Sequence, residues 1–155
     1  MRMAFLLLCA FLLTGCGKAS GPESTGNFAV LQAGTEITLD APADEVLAQL
    51  GAPFRYGEAA GSNLPGVERT YCFSGMELRT YPCKDGDRIS SVRITGGNAK
   101  TREGLCVGST VEQVQACFGL DAPPGGSCTV IRTPEAMTLT IHNNMVTQIH
   151  CFRCF

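Results

Sequence analysis

Two short segments of the chain combine helical spacing of apolar residues with clear helix boundaries. In residues 107–119, VGSTVEQVQACFG, Ser109 stands three residues before Glu112, which is a capping-box arrangement. Gly119 then provides the left-handed conformation that ends many helices. The apolar stripe between these boundaries consists of Val111, Val114 and Phe118. This pattern predicts a short amphipathic helix.

The same arrangement occurs earlier, in residues 39–51, LDAPADEVLAQLG. Pro42 suits an early helical position, Asp40 is the predicted cap and Gly51 is the predicted stop. The apolar stripe consists of Ala43, Val46, Leu47 and Leu50. The two segments align over the apolar stripe and the final glycine.

After each helix the pattern changes to the alternation that is typical of strands. Three predicted strands follow the first helix, at 66–73, 76–82 and 88–94, with Asp85 and Gly86 as the strongest hairpin signal. Three more follow the second helix, at 127–132, 136–142 and 145–152. Each helix is therefore followed by a predicted antiparallel meander.

The predicted fold class is α+β, with two tandem helix-plus-antiparallel-meander repeats that share a sheet and place their helices on one face. Repeat 1 spans residues 30–98 and repeat 2 spans residues 99–155, with ITGGN at 94–98 as the linker. A single unit of about 60 residues would bury little surface, which favours sharing one sheet. A chance succession of helix and strands is the alternative, because the two segments have low identity.

The N-terminus has the pattern of a secretory signal: Arg2, an apolar run at 4–13 and then small residues. The run is too short to cross a bilayer. LTGC at 13–16 resembles the bacterial lipobox, which implies removal of residues 1–15 and lipidation of Cys16. Fatty acyl chains such as palmitate on Cys16 would hold the protein on the extracytoplasmic side of the cell membrane or the outer membrane. An ordinary secretory signal is the alternative.

Residues 16–29 begin with the lipidated cysteine and continue as a Gly-, Ser- and Pro-rich flexible tether. Without residues 1–15 the chain has 11 basic and 14 acidic side chains, a net charge of −3, and no basic cluster. This balance argues against nucleic acid as a partner. The membrane, through the anchor, and another envelope protein are the expected partners.

Seven cysteines remain after the signal and the lipidated residue are set aside: Cys72, Cys83, Cys106, Cys117, Cys128, Cys151 and Cys154. Outside the cytoplasm such a density predicts disulfides. The nearest local pairs are Cys106 with Cys117 and Cys151 with Cys154. The odd number predicts one thiol that is unpaired or paired between chains.

Residues 100–119, KTREGLCVGSTVEQVQACFG, resemble the tandem modules of bacterial lipoproteins with the fold of the β-lactamase inhibitor protein. The outer-membrane assembly lipoproteins of the SmpA/OmlA type have one such module. The resemblance extends over most of residues 28–152 and implies a fold and a binding function without naming a ligand. The seven cysteines depart from that pattern.

The segment HCFRC at 150–154 is the one place where the sequence suggests chemistry. His150, Cys151 and Cys154, with His142 across the hairpin, could ligate zinc. Alternation along the predicted strand places Cys151 on the opposite face of the sheet from His150. This favours a disulfide, or free thiols without a chemical role, over a metal site. No nucleophile elbow or metalloprotease motif is present in the sequence, so no catalytic residue, cofactor or metal is expected.

The expected functional surface is the sheet face that points away from the helices. Its predicted members alternate with the apolar positions and are Arg79, Tyr81, Arg93, Thr138, Thr140, His142, Gln148, His150 and Phe152. Clustered Tyr, Arg and Phe often anchor protein interfaces, although a solvated polar face would have the same pattern. The expected function is noncatalytic protein binding or envelope assembly. The alternatives are inhibition of an envelope enzyme and a thiol- or metal-dependent activity at the C-terminal cysteine pair.

Overall fold

A computed structural model describes residues 27–61 and 65–155, and strands dominate it. The two helices are α1 at Ala43–Leu50 and α2 at Val111–Phe118. The ten strands are β1 Ala29–Gln32, β2 Thr35–Thr38, β3 Arg55–Ala60, β4 Val67–Phe73, β5 Met76–Cys83, β6 Gly86–Ile94, β7 Lys100–Thr101, β8 Gly126–Arg132, β9 Glu135–His142 and β10 Met145–Arg153. No described helix is long and apolar enough to cross a bilayer.

Seven of the strands form one antiparallel sheet in the order β3-β4-β5-β6-β10-β9-β8. Successive strands are neighbours except at the centre, where β6 pairs with β10 through four residue pairs, from Ile94 with Ile149 to Ser91 with Phe152. This central pairing joins the strands that follow α1 to the strands that follow α2. A second, three-stranded sheet has the order β2-β1-β7.

The core lies on one side of the large sheet, which is called the inner face here. Its strands contribute alternating apolar residues, among them Leu78, Val92 and Leu139, and these side chains are at most 1% exposed. Val46 of α1 and Val114 of α2 belong to the same cluster. The small sheet adds apolar residues to it as well: Val30 and Ile37. The helices and the small sheet therefore pack against one face and leave the other free of them.

The α+β class is confirmed, and six of the ten strands lie within two residues of the predicted positions. The prediction omitted β1, β2, β3 and β7. Four strands of the large sheet follow α1, one more than predicted, and three follow α2. The turn between β5 and β6 is formed by residues 84–85, one position earlier than the predicted turn at Asp85 and Gly86. Gly86 is the first residue of β6.

The helix starts also differ from the predicted caps. Thr110, and not Ser109, caps α2: its side chain accepts from the backbone N–H of Gln113, whose side chain accepts from the backbone N–H of Thr110. The hydroxyl of Ser109 instead accepts from the backbone N–H of Cys106 at 3.0 Å. Asp40 does not cap α1: no side chain caps that helix. The carboxylate of Asp40 instead binds Tyr81 and Arg153.

Candidate binding face on the large sheet

One row of side chains crosses all seven strands on the face opposite the core, which is called the outer face here. Cross-strand partners lie on the same side of a sheet, so the strand registers define the row. Its members, from β3 to β8, are Arg55, Cys72, Glu77, Arg93, His150, Thr138 and Thr129. A second row runs beside it through Arg79, Ser91, Phe152, Ala136 and Ile131.

Three arginines lie around the carboxylate of Glu77 at the centre of this face. Glu77 Oε1 lies 3.0 Å from Nε of Arg79 and 3.6 Å from Nη1 of Arg93. Arg55 donates from Nη2 to the thiol sulfur of Cys72 at 3.4 Å. The Nε atom of Arg93 is buried and has no hydrogen-bond acceptor among the described residues. The centre therefore has more positive than negative charge and an unused donor.

His150 lies beside this charged group as a neutral ring. Burial, and then the charges of Arg93 and Arg79, lower its pKa to about 4. Its ring packs on that of Phe152, with 5.0 Å between the ring centroids. His150 is therefore uncharged at neutral pH and provides a flat, partly apolar surface among the arginines.

Two shallow grooves border the central residues. The first, of about 170 Å³, is lined by Glu68, Arg79, Ser90, Ser91, His150, Phe152, Arg153 and Phe155. The second, of about 270 Å³, is lined by Phe54, Arg55, Cys72, Phe73, Gly75, Met76, Glu77, Arg93, Thr95 and Gln148. Phe54 and Phe155 are 74% and 60% exposed, so each groove has a solvent-exposed aromatic ring at its rim.

Most of the predicted face residues come together on the outer face. Arg79, Arg93, His150 and Phe152 line the grooves, and Gln148 lines the larger one. The remaining two that meet this group are Thr138, opposite His150, and Thr140, opposite Gln148.

Two predicted residues, Tyr81 and His142, neither line a groove nor pair with a residue that lines one. Tyr81 is buried, because its ring packs edge-on against Phe155 at 5.0 Å and its hydroxyl donates to Asp40. His142 is exposed at the end of β9, next to the turn into β10, and lines neither groove.

Sequence reasoning missed four residues of the row that crosses all seven strands: Arg55, Cys72, Glu77 and Thr129. Glu77 lies between the core residues Met76 and Leu78 of β5 in an alternating strand, and that alternation could have placed it on the outer face. Cys72 was assigned only to the disulfides. Arg55 lies on β3, a strand without apolar alternation, so the sequence contained no comparable signal for it.

The seven cysteines in the described residues are free thiols, so the structure forms neither Cys106–Cys117 nor Cys151–Cys154. Cys72 and Cys151 are buried, and Cys106 and Cys128 are partly buried. Cys83, Cys117 and Cys154 are exposed. Disulfides in the mature protein stay a prediction. Cys16, the predicted lipidation site, lies outside the described residues.

The C-terminal segment HCFRC does not form a ligand cluster in the structure. Cys151 points into the core and is 1% exposed, whereas His150 lies on the outer face. Burial raises the pKa of the Cys151 thiol to about 12. Among residues 27–61 and 65–155, no group of three or more His, Cys, Asp or Glu side chains is arranged to hold a metal ion.

Comparison with known proteins yields no relative: no protein-family model, no curated protein and no solved structure matches the chain.

Proposed function

We propose that this protein is a noncatalytic protein-binding module that is anchored to the extracytoplasmic side of a bacterial envelope membrane. The observation that carries the proposal is the row of side chains across the outer face, with three arginines and two grooves at its centre. Arginine and aromatic side chains are enriched among the residues that dominate protein interfaces.

The charges on this face indicate the chemistry of the partner. Arg55, Arg79 and Arg93 outnumber the two carboxylates of this region, which belong to Glu77 and to Glu68 in the first groove. Guanidinium groups bind carboxylates through paired hydrogen bonds. We therefore expect a partner that presents acidic side chains.

The size of the grooves favours a protein partner over a small molecule. Sites for drug-sized ligands enclose roughly 300–1,000 Å³, and both grooves are smaller. Grooves of about 170 and 270 Å³ suit single side chains that project from a larger surface. Inhibition of an envelope enzyme would use the same kind of surface and differs only in the identity of the partner.

The thiol- and metal-dependent alternative has less support from the geometry. Thiol chemistry requires a thiolate, and burial of Cys151 keeps this thiol protonated. His150 is on the opposite side of β10 from Cys151, so the two cannot ligate one ion from this strand.

Three further parts of the proposal come from the sequence. The lipobox-like LTGC supports lipidation of Cys16 and therefore the membrane location. The segment 100–119 supports kinship with lipoproteins of the β-lactamase-inhibitor-protein-like fold. Two tandem repeats, at 30–98 and 99–155, would explain why Val46 and Val114 are buried at matching positions and why each helix ends at a glycine with positive φ. They would also explain why β6, the last strand of the large sheet in repeat 1, pairs with β10, the last strand of repeat 2.

Photo-crosslinking in intact cells tests the binding face. A photoreactive residue in place of Gln148, in the larger groove, should crosslink to a partner protein. Arg93→Glu should abolish this crosslink by reversing the charge that meets the partner's carboxylates. Arg102→Glu is the matched control. Like Arg93, Arg102 is partly exposed and paired with a glutamate, but this glutamate, Glu36, belongs to β2 of the small sheet. A crosslink that survives Arg93→Glu, or that is lost equally in the control, would contradict the proposal.

The membrane anchor has a separate test. Intact mass measurement on protein extracted from membranes should show a diacylglyceryl group on Cys16 and loss of residues 1–15. Cys16→Ser should release the protein from the membrane without changing the fold. A wild-type protein that is found unlipidated and free of the membrane would refute the anchor and leave the binding face untouched.

A further inference from the structure

The large sheet ends at β8, and this edge is separate from the grooves of the proposed binding face. Strand β8 pairs with β9 through seven consecutive residue pairs without a register shift. Among the described residues no strand lies on the other side of β8.

The register shows which backbone groups point away from the sheet. Arg132 and Glu135 flank the two-residue turn between β8 and β9, so they form a hydrogen-bonded pair. Hydrogen-bonded positions alternate along an antiparallel pair, so the even-numbered residues of β8 bond to β9. The odd-numbered residues direct their N–H and C=O groups outward: Ser127, Thr129 and Ile131. All three are exposed.

This edge lacks the protection that edges of monomeric proteins usually have. Charged side chains, prolines and bulges normally keep exposed edges from pairing with other chains. The opposite edge, β3, includes Arg55, Gly57 and Glu58. Residues 126–131, GSCTVI, include no charge and no proline, and Ile131 is 69% exposed.

We infer that β8 pairs in antiparallel fashion with β8 of a second copy of this chain, so that two large sheets become one sheet of fourteen strands. A two-fold axis at Thr129 places Thr129 opposite the partner's Thr129. Ser127 then lies opposite the partner's Ile131, and Cys128 opposite the partner's Val130. All six outward backbone groups of each strand gain partners in this register.

Charge and packing favour a second copy over a foreign strand. The one charged residue of β8, Arg132, would lie opposite the partner's Gly126, so no like charges meet. Cys128 and Val130 are partly buried against the core, and pairing would cover their remaining exposed flanks. The strand is therefore complementary to itself in length, charge and side-chain size.

The contact is small, because one strand pair buries less than the 1,200–2,000 Å² or so that is typical of stable interfaces. We expect a dimer that dissociates on dilution. Lipid anchoring would confine copies to one surface and raise their effective concentration. Thr129 and Ile131 are the last members of the two outer-face rows. None of the residues 126–132 lines a groove, so the inference does not depend on the grooves of the proposed binding face.

Light scattering on the detergent-solubilised full chain, with protein mass separated from detergent mass, tests the inference. Wild type should be dimeric at high concentration, and Thr129→Lys and Thr129→Glu should each be monomeric because like charges then meet across the axis. An equimolar mixture of the two variants should be dimeric again. Ala59→Lys, which adds the same charge on the opposite edge strand, should leave the dimer intact. A Thr129→Lys protein that remains dimeric would overturn the inference.

Amide hydrogen exchange identifies the edge itself. In wild type the amides of Ser127, Thr129 and Ile131 should be protected, and in Thr129→Lys those of Ser127 and Ile131 should exchange at least tenfold faster. The amides of Cys128 and Val130 should stay protected in both, which shows that the variant is folded. A monomeric wild type with protected outward amides would overturn the inference in favour of another segment of the same chain on this edge.

Discussion

The backbone N–H of Phe28 donates a 2.7 Å hydrogen bond to Oε2 of Glu135, which lies 107 residues further along the chain. Both residues are buried, and the guanidinium of Arg132 lies 4.5 Å from the centroid of the Phe28 ring. This contact attaches the start of the described chain to the hairpin between β8 and β9. Burial raises the pKa of Glu135, and the hydrogen bond from Phe28 opposes that shift.

Glu135→Ala should destabilise the fold by about 1–3 kcal/mol, because a buried N–H would lose its acceptor. Glu135→Gln retains a side-chain oxygen for Phe28 and should be clearly less harmful. Urea unfolding at pH 7 measures both free energies. Equal losses in the two variants would show that the hydrogen bond is not the source of the effect.

Thr110→Ala should lower the free energy of unfolding by about 1 kcal/mol, since it removes the hydroxyl that caps α2. Thr110→Ser preserves a hydroxyl and should be close to wild type. Thermal and urea unfolding of the three proteins decide the matter. If Thr110→Ser were as unstable as Thr110→Ala, the methyl group and not the cap would be responsible.

His150 should make the fold less stable in acid. Its folded pKa of about 4 lies below the ordinary value of 6.5, so between these pH values the unfolded chain binds a proton that the folded chain does not. The free energy of unfolding should therefore decrease as the pH falls from about 6.5 to about 4. His150→Gln should flatten this dependence, as measured by urea unfolding at several pH values.

The matched control for this prediction is His142→Gln, at the exposed histidine beside the β9–β10 turn. It should retain the wild-type pH dependence. The prediction would be wrong if His150→Gln had the same slope as wild type between pH 6.5 and pH 4.

Native thiol reactivity should follow burial. In reduced folded protein, Cys83 and Cys154 should be alkylated first, Cys117 more slowly because burial and the nearby Glu103 raise its pKa, and Cys151 only after unfolding. Iodoacetamide labelling followed by peptide mapping measures the order. Omitting the reductant shows at the same time whether the mature protein forms the predicted disulfides. Rapid labelling of Cys151 in the folded protein would contradict its place in the core.

The sequence predicted the strands in which apolar and polar residues alternate and missed those in which they do not. In β9, Met137, Leu139 and Ile141 alternate with threonines, and the strand was predicted to within one residue. Strand β3, RYGEAA, is exposed along its whole length and has no such pattern. The strands of the small sheet have two to four residues each, which is too short for periodicity to be visible.

The cap and the binding face show a different limit. Ser109 and Thr110 each stand three residues before a Glu or Gln, so the sequence alone cannot choose between two capping boxes one residue apart. Tyr81 follows a register shift in the β5–β6 pairing and is covered by Phe155, a contact that no local pattern encodes. Local patterns predicted which residues share a face but not which long-range neighbours cover them.

The central pairing of β6 with β10 also has a consequence for how the chain reaches its fold. The residues that pair are 55 to 61 positions apart, so β6 is synthesised well before its neighbour. Contacts this distant in sequence form slowly. Until β10 arrives, the apolar side chains and open edge of β6 have no cover on that side. Newly synthesised chains should therefore need protection from aggregation during this interval.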